Sequence, residues 1–421
     1  MKALISKSEI NGKVKAPSSK SYTIRGLMCA ALARGESEIL SPLIAEDTQA
    51  ALNVLSQIGI RFHQQECLWK VAGGNFHEPD ADLFCSDSAA TLRFMTAICS
   101  IIPGKCRLVP GPSLARRPVK PLIQALQQLG VNCSSQGEVA PVIVEGDRLK
   151  GGIVELPGHV SSQFVSALLL IAPLAEEIVE IRLSTPPESK PFIRMTLDCL
   201  ERFGIKIESS KDLRQFEAVK QTYKPAKYEV EGDWSSASYF LALGALAGEV
   251  EVENLNPQSR QGDKIILNFL RDMGASVEKN QNSVTVRKTR LRGIKADLSD
   301  CIDLLPTMAV LAAAADGVSE FTGIFRARLK ESNRVATVRE GLKRMGVKTV
   351  EEKHILVIVG STPKGSVIDA RGDHRLAMAF SILGSEVGKT IINNAECVAK
   401  TYPRFWEELK SIGGEVKIDG K

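Results

Sequence analysis

Four short stretches bring together groups that could grip anions or move protons. "SSKSYTIR" carries Lys20, Ser21 and Arg25, and "RLKESNRV" carries Lys330, Glu331 and Arg334. "DLLP" opens on Asp303, and "DHRLAMAF" on Asp373, His374 and Arg375. Arginine forks and lysine ammonium groups suit carboxylate and phosphate, and a carboxyl among cations is a candidate acid or base. The four-residue spacing puts Lys330 and Arg334 on one predicted helical face, with Arg326 and Arg328 just upstream and Glu331 beside them. Like charges so placed repel unless an anion joins them. "LARRPVKP" adds Arg116, Arg117 and Lys120 around Pro118, where an amphipathic helix is predicted to begin. None of this is a Walker A loop, because GxxxxGK[ST] is absent. Taken singly, each stretch is also what a capped helix with solvated charge presents.

The elements that must position these groups repeat six times. "LNVLSQIGIRF", "IQALQQLGVNC", "LDCLERFGIKIE", "LNFLRDMGASVE", "GLKRMGVKTV" and "EELKSIGGEVK" each set a leucine four residues before a glycine, with a strand-like run after it. Each reads as an amphipathic helix closed by a C′ glycine, at Gly59, Gly130, Gly204, Gly274, Gly346 and Gly413. A second series interleaves with it: apolar, small-residue helices opening on polar clusters at Ser21, Ser88, Ser161, Ser235, Asp303 and Asp373. Apolar residues nearly all round mark these as buried. Six units of about seventy residues are a repeat architecture, and three per domain is the natural division. The polar stretch 209–230 follows the third glycine and marks the expected break.

A buried helix start offers unpaired N–H groups and about half a positive charge. Here the starts also carry Lys20, Arg25, Arg93, Gln163, Asp233, Asp303 and Arg375. Three such ends converging in each of two facing domains would make an electropositive cleft with a few carboxylates, suited to two anions.

Composition narrows the partners. With 54 basic and 49 acidic residues the net charge is +5, too mild for nucleic acid and compatible with a small anionic ligand. No apolar run is long enough to span a membrane. "MKALISKSEINGKV" is expected to be a strand and not a targeting segment. The nine cysteines are scattered without CxxC spacing and read as reduced core residues of a cytoplasmic protein, and five dispersed histidines give no zinc pattern. No exposed apolar stripe points to a dimer, so a monomer is expected.

Across its whole length the chain resembles the 5-enolpyruvylshikimate-3-phosphate synthases. The resemblance is carried by "SSKSYTIR", "RRPVKPL", "SSQFVSALL", "ESKPF", "EGDWSSASYFLA", "DLLP", "RLKESNRV", "GDHRLAMAF" and "CVAKTYPRFWEEL". It implies an α/β fold of two similar domains, each of three repeated units with helices inside and sheets outside, an inside-out α/β barrel. Residues 1–13 with 232–421 would form one domain and 14–231 the other, with the active site in the cleft between them. The implied reaction transfers the enolpyruvyl group of phosphoenolpyruvate to the 5-hydroxyl of shikimate 3-phosphate and releases phosphate, without metal or organic cofactor. Shikimate 3-phosphate contacts would fall on Lys20, Ser21, Arg25, Ser161, Ser162, Gln163, Ser189, Asp303 and Lys330. Phosphoenolpyruvate contacts would fall on Lys20, Ala89, Arg117, Gln163, Arg334, Arg375 and Lys400. Asp303 would accept the hydroxyl proton, and Glu331, with Lys20 close by, would protonate the methylene carbon. His374 belongs to the same catalytic set.

Three departures from the family pattern stand out. The donor loop reads Asp87-Ser88-Ala89-Ala90 instead of asparagine, small residue, glycine, threonine, so Asp87 needs a partner such as Arg93. Arg326 replaces a frequent asparagine, and Phe192 a frequent tyrosine. Ala89 in the glycine's place predicts weak inhibition by glyphosate, a donor competitor longer than phosphoenolpyruvate. Two other readings compete. A UDP-N-acetylglucosamine enolpyruvyl transferase would carry a cysteine in the loop that here reads "GPSLARRP". A non-catalytic anion-binding relative would not be expected to keep Asp303, Glu331, His374 and Lys400.

Overall fold

A computed structural model describes residues 1–420, which fold as two units: Ser18–Val230, and Met1–Pro17 together with the residues from Glu231 on. The first unit holds helices α1 (Lys20–Leu32), α2 (Glu46–Gln57), α3 (Ala89–Ile98), α4 (Lys120–Gln128), α5 (Ser162–Ile171) and α6 (Lys190–Arg202). The second holds α7 (Trp234–Ala247), α8 (Ile266–Asp272), α9 (Leu305–Ala314), α10 (Arg334–Arg344), α11 (His374–Val387) and α12 (Phe405–Ser411). Odd-numbered helices are the buried series. In α7 every residue but Ala247 is buried, and in α5 every residue but Gln163. Their alanines, serines and glycines let neighbouring helices approach closely, so α7, α9 and α11 pack on one another, and α3 packs on both α1 and α5.

Even-numbered helices are amphipathic and all end alike. In α4, Leu122, Ile123, Ala125 and Leu126 face the core while Gln124, Gln127 and Gln128 face water. The six terminal glycines all have positive φ, from 80° to 101°. The residue after each glycine donates its N–H to the carbonyl of the recurrent leucine: Ile60 to Leu55, Val131 to Leu126, Ile205 to Leu200, Ala275 to Leu270, Val347 to Leu342 and Gly414 to Leu409, at 2.8–3.1 Å. This is the Schellman closure, which an L side chain at the glycine would strain by about 1 kcal/mol or more. The six leucines are buried to within 1% exposure, so each phrase both stops a helix and anchors it.

Each repeat adds one four-stranded sheet, three per unit, always two parallel strands followed by two antiparallel ones. In four repeats the buried helix is the crossover between the parallel pair, as α3 is between Leu83–Phe84 and Gly104–Val109. Where the chain passes between units, the first strands are exchanged. Ile10–Lys15 precedes α1 in sequence but pairs with Gly248–Glu253 after α7, and Lys227–Glu229 precedes α7 but pairs with Gly35–Leu40 after α1. Lys2–Ile5 completes the last sheet, between Thr390–Asn393 and Val416–Asp419.

Candidate active site

In residues 18–230 most of the candidate residues lie at or near helix starts. Ser19, not Ser21, caps α1, accepting the Tyr22 N–H at 3.4 Å. Capping therefore does not explain Lys20 and Ser21. The Lys20 ammonium donates to Asp47 Oδ2 at 2.7 Å, from a carboxylate buried in the first turn of α2. Arg25 is only 2% exposed. Its Nε donates to Thr196 Oγ1 at 2.8 Å, and its terminal nitrogens donate to the Ser21 and Phe192 carbonyls at 3.0 and 3.2 Å. The Phe94 and Phe192 rings lie 5.3 and 5.8 Å from the guanidinium. Phe192 thus supplies ring surface where the family's tyrosine would add a hydroxyl. Burial lowers the Arg25 pKa, yet a guanidinium stays charged.

Arg93 gathers the start of α5. It donates to Ser161 Oγ at 3.2 Å, to Gln163 Oε1 at 2.8 Å and to the Pro118 carbonyl at 3.2 Å, and stacks 4.9 Å from Phe164. Ser161 also caps α5, and Ser162 follows it, 5% exposed. Ser189 precedes α6 with φ of 53°, a left-handed strain of the kind functional sites retain. Ala89 is the first residue of α3 and is 7% exposed. Asp87 Oδ1 accepts the main-chain N–H groups of Ser113 and Leu114 at 2.9 and 3.0 Å. The carboxylate that looked out of place beside an anion therefore holds the loop that carries Arg117. Arg117 is buried, whereas Arg116 is exposed and Lys120 pairs with Glu138 on the surface.

In the second unit the carboxylates dominate. Asp303 lies in a one-turn 3₁₀ segment, Ile302–Leu304, ahead of α9. Three cations reach its carboxylate: Lys330 at 3.2 Å, Arg334 at 2.6 Å and Arg375 at 3.4 Å. Arg334, 1% exposed, also meets Glu331 at 2.6 Å and Asp373 at 2.8 Å. Asp373 caps α11 and accepts from Ser332 at 3.0 Å, and Arg375 reaches the Tyr239 hydroxyl at 3.4 Å. Burial alone would raise the Asp303 pKa, but Arg375, Lys330 and Arg334 hold it well below the usual carboxylate range. Burial brings the Lys330 ammonium down to about 8, with Asp303 working against that fall and Arg334 and Arg326 adding to it. His374 and Lys400 are both buried, His374 at the first turn of α11 and Lys400 at the end of the 3₁₀ segment Ala395–Lys400.

The expectation that Lys330 and Arg334 share a helical face is corrected. The Asn333 side chain accepts the Ala336 N–H at 3.2 Å, so α10 begins at Arg334 and Lys330 is extended. The two cations meet through Asp303 instead. Arg328 turns to Glu351 at 2.8 Å, and Arg326 donates to the Ser299 carbonyl at 2.8 Å. Supporting residues that were not singled out from sequence include Asp47, Thr196 and Tyr239. Asp47 had only its place in a helix's first turn to signal it.

Solved structures share this architecture. The EPSP synthase of Acinetobacter baumannii superposes with a TM-score of 0.85 at 25% identity, all of both chains being covered. The enolpyruvyl transferase NikO of Streptomyces tendae shares the fold at a TM-score of 0.79 and 18% identity, covering 99% of this chain and 98% of its own. The class is that of the six-repeat, two-domain enolpyruvyl transferase fold. The family model described as EPSP synthase (3-phosphoshikimate 1-carboxyvinyltransferase) matches residues 5–409, and the chain belongs to that family. A 3-phosphoshikimate 1-carboxyvinyltransferase of Dehalococcoides mccartyi is 51% identical over 421 residues, the whole of both chains. One from Methanothermobacter thermautotrophicus is 42% identical over 415 residues, 97% of each.

Proposed function

We infer that the chain is a 3-phosphoshikimate 1-carboxyvinyltransferase, moving the enolpyruvyl group of phosphoenolpyruvate onto the 5-hydroxyl of shikimate 3-phosphate with release of phosphate. The observation that carries this reading is end-to-end similarity, 51% over the whole chain, to a curated enzyme of that name. The site's chemistry supports it. Both substrates are polyanions, and bringing them together requires fixed cations and helix starts. Lys20, Ser21, Arg25, Ser161, Ser162, Gln163, Ser189 and Lys330 are assigned to shikimate 3-phosphate. Lys20, Ala89, Arg117, Gln163, Arg334, Arg375 and Lys400 are assigned to the donor, and both sets act in one reaction.

Asp303 takes the 5-hydroxyl proton as that oxygen bonds to C2 of phosphoenolpyruvate, while Glu331 gives a proton to the methylene carbon. Loss of phosphate then restores the double bond as the new methyl group returns a proton to the same side of the site. Before substrate arrives, Asp303 is ionised but weakly basic, because three cations share it. Substrate anions compete for Lys330, Arg334 and Arg375, and each cation drawn away makes Asp303 a stronger base and frees Glu331 to hold a proton. His374 completes the catalytic set from the start of α11.

The reading also makes the chain a cytoplasmic monomer, the second point being open to light scattering. Among the described residues no helix is long and apolar enough to cross a membrane, and no group of three potential ligands is placed to hold a metal. The deciding assay is phosphate release from phosphoenolpyruvate with shikimate 3-phosphate or UDP-N-acetylglucosamine as acceptor. Turnover only with the second would overturn the reading.

A further inference from the structure

One cleft of the second unit is lined by none of the residues assigned above. It opens between the turn Gly262–Ile265 with the start of α8 on one side and the hairpin joining Ser276–Lys279 to Ser283–Arg287 on the other. Its volume is about 390 Å³, the size of a small-ligand site. The floor is apolar: Trp234, Leu255, Leu267 and Val284 are all buried. The mouth is cationic. Lys264 and Lys279 both line it, and among the described residues neither makes an ion pair with a carboxylate. Lys264 is held in place: its ammonium donates to the Pro257 and Ser259 carbonyls, both at 2.9 Å, which leaves one of its three donors over. Burial lowers the Lys264 pKa, Glu231 opposes that fall, and the like charges of Lys279 and Arg260 add to it. The wall is fixed as well. Trp234 donates its main-chain N–H to Gln261 Oε1 at 3.0 Å and its indole N–H to the Asn256 carbonyl at 3.2 Å. Gln261 in turn donates to Glu231 at 2.7 Å and to the Gly232 carbonyl at 2.8 Å.

We propose that this cleft is a second ligand site, which takes a small organic carboxylate carrying an apolar ring: the carboxylate between Lys264 and Lys279, the ring on the floor made by Trp234, Leu255, Leu267 and Val284. Each half of that ligand answers one half of the cleft. A bare inorganic anion satisfies the lysines and leaves the apolar floor wet. A neutral hydrocarbon covers the floor and leaves two ammonium groups facing one space, where they repel. Joined in one molecule, the two halves remove both costs, and a wall already fixed by hydrogen bonds has little order left to lose on binding. The site needs nothing from the transfer reading, and its test reads no activity.

The chain has three tryptophans, Trp69, Trp234 and Trp406, so nitrogen-15 labelling of the indoles gives three signals, assigned by replacing each with phenylalanine. Only Trp234 lines the cleft. Benzoate is the probe. It should shift the Trp234 signal saturably, with a dissociation constant of roughly 0.1–5 mM, and leave the other two still. Benzyl alcohol, which keeps the ring without the charge, and inorganic phosphate, which keeps charge without the ring, should each bind about tenfold more weakly or worse. Benzoate no tighter than either would overturn the proposal. Lys279→Glu reverses an exposed charge and should weaken benzoate about tenfold with the melting temperature unchanged. Asn268→Phe fills the cleft from its exposed side and should abolish the shift. Undiminished binding in both variants, or no movement of the Trp234 signal in the wild type, would sink the idea. A Trp234 signal that moves with protein concentration alone would give the cleft to a second copy of the chain and overturn it too.

Discussion

The two units hold their arginines in opposite ways. Arg25, in residues 18–230, spends its hydrogen bonds on a threonine hydroxyl and two main-chain carbonyls and its faces on phenylalanine rings. Those partners fix its direction without cancelling its charge. Arg334, in the other unit, is wrapped by Asp303, Glu331 and Asp373. That cluster is built from mutual compensation, so an anion would enter it only by exchange. On the proposed function, neutral partners would make a standing receptor for a phosphate, and carboxylate partners a reactive centre whose acids and bases are reset by what binds.

The largest effect should come from breaking the compensated centre. Arg334→Met leaves the buried Asp303 and Asp373 and the half-buried Glu331 without their shared cation, and losing one partner of such a network costs about 3–5 kcal/mol. Calorimetry should show a lower melting temperature for this variant, and an unchanged one would mean the cluster is not held by Arg334. Asp303→Asn should fold and bind shikimate 3-phosphate while turnover drops by about a hundredfold or more. Near-normal turnover would remove Asp303 as the base.

Smaller effects sharpen the neutral half. Thr196→Val keeps shape but takes the acceptor from Arg25 Nε, a loss of about 1–3 kcal/mol for a buried donor. It should raise KM for shikimate 3-phosphate more than it lowers kcat, and the reverse pattern would place Thr196 in the chemical step. Ala89→Gly should tighten glyphosate inhibition roughly tenfold for each 1.4 kcal/mol of crowding relieved, with phosphoenolpyruvate use retained. Equal inhibition constants for variant and wild type at matched donor saturation would show that Ala89 does not meet the inhibitor.

What could be read from sequence was local. Leucine, glycine and the residue after it contain the whole Schellman closure, so six helix ends and the sixfold period were legible. Asn333 before "RVATV" was also a usable cap signal, and reading the i, i+4 charges through it produced the one wrong helix. Distant pairings were not legible. Nothing near Asp87 says that it meets the N–H groups of Ser113 and Leu114, or near Lys20 that it meets Asp47. Nor does local pattern say that Ile10–Lys15 belongs with Gly248–Glu253. The candidate residues lie in motifs that a sequence displays, while the partners that orient them lie far along the chain, in the same repeat or another, and carry little local mark.

The exchanged strands bear on how the chain is made. On the ribosome, Lys2–Ile5 and Ile10–Lys15 emerge before residues 18–230, yet their partners, Thr390–Asn393 and Val416–Asp419 for the one and Gly248–Glu253 for the other, are translated only after them. All three sheets of residues 18–230 can close before those partners exist, because every strand they need lies between Gly35 and Glu229. Until then the leading strands wait with open edges, the form of chain most prone to pair with a neighbour. Lys2, Lys13 and Lys15, spread along them, give those edges a charge that discourages it.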